Sequence, residues 1–249
     1  MSKYYRSILT SVPFIPNQVL GLRLWLDAAD ANTISIETGV SEWRDKSGGN
    51  HHAIMSTTAH QPSYLNNEIN GRSVVQFDGS NDRMQNSTLP LLSSVTVYVL
   101  SKANNSFGGE LLQLRRRDGS RYRFICRELI SSGSYFVIGD TVVVNSTIIN
   151  PSGINWQVPH ISKFQKIQGS SSDISYSLNG VNYNVNPSAI NNESSLIEGY
   201  DLGVIQLIGG AYINNYNGQI CEVLIYDNVI SNDNDLLIRN YLSKKWISN

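Results

Sequence analysis

The feature that most constrains the fold is a hairpin signature over residues 174–185. The segment ISYSL-NG-VNYNV joins two alternating runs through Asn179-Gly180. Asn-Gly is the favoured pair for a two-residue turn in which both residues adopt positive φ. Because successive side chains on a strand point to opposite faces, this turn places the apolar side chains on one face: Ile174, Tyr176, Leu178, Val181, Tyr183 and Val185. The pattern predicts two antiparallel strands with one buried face.

Similar alternating segments recur along the chain at short spacing. They are separated by clusters of Gly, Asn, Ser and Asp, and they cover residues 22–26, 73–77, 94–100, 110–114, 122–126, 135–139, 203–208 and 219–226. Short strands at regular spacing with turn signals between them are typical of a sandwich, and all-β sandwiches of 249 residues occur as single domains. No strand–helix alternation indicates a parallel sheet. We therefore predict an all-β, antiparallel jelly-roll β-sandwich over residues 21–249.

Residues 1–20 differ from the rest of the chain. Pro13 and Pro16 favour extended backbone, so we predict an extended N-terminal arm. An apolar arm left free in water would be unfavourable. Either the arm crosses its own domain or it docks on a neighbouring subunit, and the side chains predicted to dock are Tyr4, Tyr5, Ile8, Leu9, Phe14 and Ile15.

The C-terminal segment is the only one with helical spacing. We predict a short helix over about 232–246, in which Ser231 caps the first turn and Lys244 and Lys245 lie in the last. The residues expected to pack on the sandwich are Leu237, Ile238, Tyr241, Leu242 and Trp246.

Six arginines fall within thirteen residues in a chain whose net charge is −1. A three-residue loop, Arg117-Asp118-Gly119, would pair Leu114 with Tyr122 and Leu112 with Phe124, because a one-residue slip would bury arginines. The arginines are then either a charged edge that prevents aggregation or a contact for an anionic partner or glycan. The residues predicted for that contact are Arg115, Arg117, Arg121, Arg123 and Arg127.

Three segments resemble a known family. They are LRLWLDAADANTIS…VSEWRDKSGGNHHA, INGRSVVQFDGSNDRM, and ISYSLNGVNY combined with YNGQICEVLIYDNVISNDNDLLIRNYLSKKWI. Together they resemble concanavalin A-like lectin/glucanase (laminin G-like) jelly-roll domains, of the kind found in bacteriophage and bacterial surface proteins. The resemblance implies the sandwich fold, but function must be argued from the site, because this fold hosts lectins, glycosidases, adhesion modules and virion components.

The motifs of catalysis are missing from the sequence. Glycosidases of this jelly-roll type carry a Glu-x-Asp-x-x-Glu strand, which holds an acid and a nucleophile on one face. Glu222 has no acidic neighbours, and Glu42 and Asp45 flank Trp43 and Arg44 in a predicted loop. We therefore expect no enzyme activity; a glycosidase with unfamiliar acids is the least favoured alternative.

Calcium is the one cofactor that the resemblance suggests, since some relatives bind it at the sandwich rim. Ca²⁺ requires six to eight oxygen ligands. The carboxylates that would supply them are Asp27, Asp30, Asp78 and Asp82. The alternative, which we favour, is that these residues form ordinary turns at strand ends.

Charge and hydropathy restrict the partners. A net charge of −1 gives no global field for nucleic acid, and no run approaches the length of a membrane span. The N-terminus lacks the apolar stretch of a signal peptide. The leading hypothesis is a non-catalytic virion protein, made in the host cytoplasm and anchored to other virion subunits by its arm as a capsid decoration, fibre or tail-associated component. The alternative is a lectin module that binds cell-surface polysaccharide on the host.

Overall fold

The computed structural model shows an antiparallel β-sandwich with a C-terminal helix, which confirms the predicted fold class. It describes residues 13–90, 92–104, 109–116, 124–128, 134–137, 146–149, 155–167, 174–183, 197–206 and 211–247. Two large sheets pack face to face, and the side chains between them form one continuous apolar core.

The first sheet is organised around the long strand β19, Asn217–Tyr226. One edge of β19 pairs with β8, while the other edge pairs with β6 in its first half and with β1 in its second half. The sheet runs in the order β15-β14-β13-β8-β19-β6-β5, with β1 beside β19. The other strands of this sheet are β1 (Leu22–Asp27), β5 (Ser63–Ile69), β6 (Arg72–Asp78), β8 (Val95–Ala103), β13 (His160–Lys166), β14 (Ile174–Leu178) and β15 (Val181–Tyr183).

The second sheet runs in the order β12-β11-β10-β9-β16-β7-β4-β3-β2. Its strands are β2 (Ile34–Ile36), β3 (Val40–Trp43), β4 (Ala53–Ile54), β7 (Met84–Asn86), β9 (Gly109–Arg116), β10 (Phe124–Glu128), β11 (Ser134–Val137), β12 (Ser146–Ile149) and β16 (Ile197–Leu202). A small third sheet pairs β17 (Ile205–Gln206) with β18 (Tyr212–Ile213), and short 3₁₀ helices occupy Pro16–Gln18, Ala31–Thr33 and Thr58–His60.

The Asn-Gly hairpin forms as predicted. Asn179 and Gly180 have φ values of 49° and 84°, which is the positive pair that a two-residue turn of this type requires. Tyr176 lies opposite Tyr183, and Leu178 lies opposite Val181. The predicted register is therefore confirmed between β14 and β15, while Val185 lies outside the described residues.

The register predicted for the arginine hairpin was wrong by two residues. Phe124 lies opposite Leu114, not opposite Leu112. A shift of two preserves the faces, because the side-chain period of a strand is two. The predicted sharing of a face therefore holds for Leu112 and Leu114 with Cys126 and Phe124, whereas a register shift after Cys126 places Arg127 opposite Glu110.

Of the strand predicted at 203–208, the structure shows the two-residue β17 at Ile205–Gln206, while residues 207 and 208 lie outside the described residues. The main strand of this region, β16, ends at Leu202, and Gly203 with φ 77° separates it from the two-residue β17. Gly199, with φ 87°, produces a register shift within β16, so that strand does not alternate regularly in sequence. Strand β13 was missed for another reason: Ile161 and Phe164 are buried on opposite faces, so its pattern is not that of a half-exposed strand.

The described part of the N-terminal segment packs on its own domain. Residues Pro16–Gln18 form a 3₁₀ turn, where proline suits the first helical position. The Phe14 ring contacts the Tyr241 ring at 6.1 Å between centroids, and the Tyr226 hydroxyl donates to the Pro16 carbonyl at 3.1 Å. The 3₁₀ turn at Pro16–Gln18 therefore interrupts the predicted extended arm, and this segment packs on its own domain, which was one of the two alternatives.

Of the six residues predicted to dock on a partner, the structure describes only two. The Phe14 side chain packs on the chain's own helix rather than pointing away from it, whereas Ile15 is 40% exposed. The other four, Tyr4, Tyr5, Ile8 and Leu9, lie outside the described residues. The docking hypothesis consequently rests on residues before Pro13.

The helix α1 spans Asn232–Trp246, as the sequence predicts. The Ser231 hydroxyl accepts a hydrogen bond from the Asn234 N–H, which is the expected N-cap. Ile238, Leu242 and Trp246 form the buried stripe, whereas Leu237 is 44% exposed, so its predicted packing was wrong. No helix in the described ranges is long and apolar enough to cross a membrane.

A buried cluster of charges holds α1 on the outer face of the first sheet. The Glu222 carboxylate on β19 is 1% exposed and accepts from four donors. They are Trp25 Nε1 at 2.7 Å, Tyr241 OH at 2.8 Å, Lys245 Nζ at 2.8 Å and Trp246 Nε1 at 2.6 Å. Burial, together with the nearby Asp27 carboxylate, raises the pKa of Glu222, while Lys245 opposes that shift. The cluster satisfies the carboxylate with donors from β1 and from the last two turns of the helix.

Replacing Glu222 should therefore be far more costly than replacing an exposed glutamate. We expect Glu222→Ala to reduce the free energy of unfolding by about 3–5 kcal/mol, because it leaves two buried indole N–H groups without their acceptor and removes one of the two carboxylates that bind Lys245. The control is Glu42→Ala, which removes a half-exposed pair with Arg44 and should cost about 0–1 kcal/mol. Urea unfolding measures both variants, and equal losses would contradict the assignment.

Candidate functional site

A pocket of about 640 Å³ lies on the outer face of the first sheet, beside the start of α1. Its lining combines amide and hydroxyl side chains with tyrosines and one lysine, contributed by Lys163, Gln165, Ser175, Tyr176, Asn182, Tyr183, Val229, Ile230, Ser231 and Asn232. Pockets that bind small ligands typically combine such convergent polar groups with an apolar wall. We take this pocket as the candidate site.

Three neighbouring strands place the polar lining. Gln165 on β13 lies opposite Ser175 on β14, and Ser177 lies opposite Asn182 on β15. Residues directly opposite in an antiparallel pair share a face, so these polar side chains form one surface. The Asn179–Gly180 turn fixes the register of that surface, and it was therefore predictable from the sequence.

The remaining wall comes from the segment that leads into α1. Val229 and Ile230 follow β19, and the N-cap Ser231 and the first helical residue Asn232 complete the lining. This wall depends on how the helix packs across β19, β8 and β13. Nothing in the local sequence pattern indicates that packing, so this half of the pocket was not predicted.

A row of aromatic side chains supports the pocket from the core side. Phe164 and Tyr176 are buried, with ring centroids 5.0 Å apart. The Tyr176 ring in turn contacts that of Tyr183 at 5.8 Å, and Tyr183 is half-buried at the edge strand β15. The rings fix one another on the face opposite to the Gln165, Ser175 and Asn182 side chains, so they support the strands of the pocket from the core side.

The lysine in the lining is already paired. Lys163 Nζ lies 3.1 Å from Asp235 Oδ1, and both side chains are 14% exposed. The same carboxylate accepts from Tyr98 OH at 2.7 Å and from Arg239 Nε at 2.8 Å. Burial disfavours ionisation of Asp235, but these donors outweigh it and lower the pKa of that carboxyl. Asp235 is therefore ionised at neutral pH.

A second, smaller pocket of about 340 Å³ lies on the second sheet, lined by Asn50, His52, Ile54, Gln85, Asn86, Ser87 and Thr88. Several of its polar groups already bind one another. The Asn86 side chain donates to the His52 carbonyl and accepts from the Leu89 N–H, and His52 Nδ1 accepts from the Asp45 N–H at 3.0 Å. These groups form the structure of the wall, so this pocket is the weaker candidate.

The arginine stripe predicted between residues 115 and 127 does not begin at an exposed edge. Arg115 is 18% exposed, its Nε lies 3.4 Å from Asp201 Oδ2, and its Nη2 donates to the Asn86 carbonyl. Arg115 is paired within its own sheet, because β16 pairs with β9 and brings Asp201 beside it, and its contact with an anionic partner stays a prediction. Arg127 lies on β10, while the other three, Arg117, Arg121 and Arg123, lie outside the described residues.

Two of the aspartates considered for calcium bind lysines instead. Asp27 is 4% exposed, and its carboxylate contacts Lys46 Nζ at 2.8 Å and Lys245 Nζ at 2.5 Å. Lys46 also contacts Asp30 at 2.9 Å, and this bond lowers the pKa of Asp30. The ammonium groups occupy the positions that a cation would take, so this pair does not provide a calcium site.

The other two aspartates form a turn at the end of β6. Asp78 Oδ1 accepts from the backbone N–H groups of Ser80, Asn81 and Asp82, and Asp82 Oδ2 accepts from the Asp78 N–H. This is the turn-forming role that we favoured. Among the residues with described positions, no three His, Cys, Asp or Glu side chains converge as a metal site would require.

The two carboxyls of this turn should have opposite effects on the pH dependence of stability. Burial, and then the Asp78 charge, raises the pKa of Asp82 to about 6. The folded protein then binds the proton more tightly than the unfolded chain, so the contribution of Asp82 to stability falls as pH rises from about 4 to about 6. Asp82→Asn should therefore raise the Tm at pH 7 more than at pH 4, as differential scanning calorimetry can measure.

Asp78→Asn provides the matched control. Burial opposes the ionisation of Asp78, but three backbone donors prevail and lower the pKa of its carboxyl. Its contribution is therefore present above its unfolded-state pKa and lost in acid, so this variant should lower the Tm at pH 7. If both variants shifted the Tm in the same direction at pH 7, the assignment of the turn would be contradicted.

Both glutamates considered for catalysis, Glu42 and Glu222, bind cationic side chains. Glu42 is half-exposed and bound to Arg44 at 3.0 Å. Glu222 and Asp27 lie opposite each other on β19 and β1 and both bind Lys245, but both are buried beneath α1. The buried pair holds the helix on the sheet and has no open surface for a substrate.

Known structures with the same fold provide the comparison. The chain is similar to a sialidase from Trypanosoma rangeli in complex with sialic acid (TM-score 0.63, 11% identity, 95% of this chain and 36% of that one). It is also similar to botulinum neurotoxin type C, described as depending on interaction with two ganglioside molecules for cell entry (TM-score 0.57, 13% identity, 91% and 52%). A third is domain 4 of a GH43 extracellular arabinanase from Geobacillus stearothermophilus with arabinotriose (TM-score 0.55, 11% identity, 87% and 96%).

These likenesses establish the fold and nothing further. The chain spans about half the length of the toxin structure and about a third of the sialidase. No protein-family model matches the sequence, and no curated protein matches it either. All three structures contain β-sandwich domains, which agrees with the lectin-like fold predicted from the sequence motifs.

Proposed function

We propose that this chain is a non-catalytic glycan-binding module and that the pocket beside the start of α1 is its binding site. The observation that carries the proposal is the composition of the lining, in which Gln165, Ser175 and Asn182 share one face beside the N-cap Ser231. Amides and hydroxyls both donate and accept hydrogen bonds, as sugar hydroxyls do.

The structural neighbours support the proposal without deciding it. Sialic acid, gangliosides and arabinotriose are the ligands named for the sialidase, the toxin and the arabinanase domain. A fold hosts many functions, so these names give only a reason to test sugars first. The location of the site on this chain comes from the pocket itself.

The absence of catalysis is part of the proposal. A retaining glycosidase needs two carboxyl groups beside the scissile bond, one to protonate the leaving group and one to attack. The closely spaced carboxylates Asp27 and Glu222 are buried and already bound by lysine and indole donors. We therefore expect no release of reducing sugar from any glycan that the protein binds.

A glycan array containing plant, bacterial and animal oligosaccharides tests the binding. We expect retention of at least one class, with affinity reduced about tenfold or more in Asn182→Ala and Gln165→Ala, since each removes one polar contact. Val181→Ala is the matched control, because Val181 lies on the same strand but outside the lining. Equal losses in all three variants, or no binding to the array, would contradict the proposal.

A role in a virion remains a separate proposal, supported by the resemblance of the motifs to phage surface domains and by the apolar N-terminal residues. The described structure sharpens its test. Phe14 and Pro16 contact the domain through Tyr241 and Tyr226. The deletion should therefore spare them and remove residues 2–12 only. We expect this variant to fold with an unchanged Tm but not to assemble into particles, measured by quantitative incorporation. Normal incorporation would exclude an anchoring arm.

A further inference from the structure

We infer that the glycan bound in this pocket is uncharged, a neutral oligosaccharide and not a sialylated or uronate-containing one. This inference rests on the proposed function and specifies its substrate class. The pocket lining contains one charged side chain, Lys163, and the surrounding described charges cancel. Selectivity for a neutral sugar then follows because no cation among the described residues of this region is available to an acidic group.

Lys163 already forms an ion pair with the Asp235 carboxylate. Its ammonium lies 3.1 Å from Asp235 and is only 14% exposed. An acidic sugar could bind this ammonium only by competing with a fixed, ionised carboxylate. The partly buried Asp235 carboxylate would then lose one of its donors, which is unfavourable.

The positive end of α1 is also compensated. The Ser231 hydroxyl accepts from the Asn234 N–H, and Asp233 and Asp235 lie in the first turn. Carboxylates at this position offset the helix dipole. Arg239 adds one further positive charge beside the Asn179–Gly180 turn, bound to Asp235 at 2.8 Å. The charges of the two cations, Lys163 and Arg239, are therefore balanced by those of two carboxylates, Asp233 and Asp235.

The other polar groups of the lining are neutral. The Gln165 side-chain carbonyl accepts from the Thr96 hydroxyl at 3.3 Å, which fixes the amide on the face of the sheet. Asn182 is exposed on the edge strand, and Ser175 lies between them. Such amides and hydroxyls recognise neutral hydroxyls through hydrogen bonds whose strength depends little on ionic strength.

The deciding experiment compares matched glycan pairs, each consisting of a neutral oligosaccharide, such as lactose, and the same oligosaccharide bearing sialic acid or glucuronic acid. We expect the neutral member to bind more tightly, with affinity changing less than about twofold between about 50 mM and about 500 mM NaCl. Preference for the acidic member, with binding that weakens in salt, would overturn the inference and leave the proposed function intact. Binding to neither member of any pair would overturn the proposed function itself.

Two variants test the charge argument directly. Asp235→Asn frees Lys163 and Arg239, and it should increase binding of the acidic member by about threefold or more. Glu198→Gln makes the same change of charge on the second sheet and should leave both affinities unchanged. A Glu198→Gln gain equal to that of Asp235→Asn would contradict the inference.

Discussion

The structure depends on one buried carboxylate, that of Glu222, and on the donors that bind it. Glu222 lies in the central strand of the first sheet, where an unpaired charge would cost several kcal/mol. Its four donors come from Trp25 on β1 and from three side chains in the last two turns of α1. Because all these groups must converge on two oxygens, the carboxylate fixes the position and rotation of the helix on the sheet far more narrowly than apolar packing alone would.

That position of the helix shapes the candidate site. With its C-terminal turns fixed at Glu222, α1 begins beside β13, so that Ser231 and Asn232 close one side of the pocket. The same placement brings Asp235 to Lys163 and Tyr98. The shape and the charge of the pocket therefore share one origin, although Glu222 does not line it. A buried ionic cluster of this kind specifies a geometry more than it adds stability.

The errors in the sequence-based predictions have a common physical cause. The arginine hairpin was registered from its own residues, but the partner of Arg115 is Asp201, 86 positions later in the chain. The calcium alternative came from the family resemblance and was not the favoured one, and here too a distant residue matters, since Asp27 is bound by Lys245 from the far C-terminus. Leu237 fits the helical period, yet it faces solvent because the docking of α1 is set by Glu222 and not by the apolar stripe. In each case a distant side chain decided the outcome.

The sequence by itself determined what depends on neighbouring residues. The Asn179–Gly180 turn requires positive φ at two adjacent positions, and the alternation around it assigns faces, so the hairpin and its polar surface could be predicted. The N-cap at Ser231 and the bounds of α1 are equally local. Only the tertiary structure decided which strands flank β19, where the helix docks and which charges meet, because those contacts join segments that are distant in sequence and whose pairing no local period encodes. The candidate site lies between a hairpin that the sequence predicts and a helix whose position on the sheet the sequence does not predict.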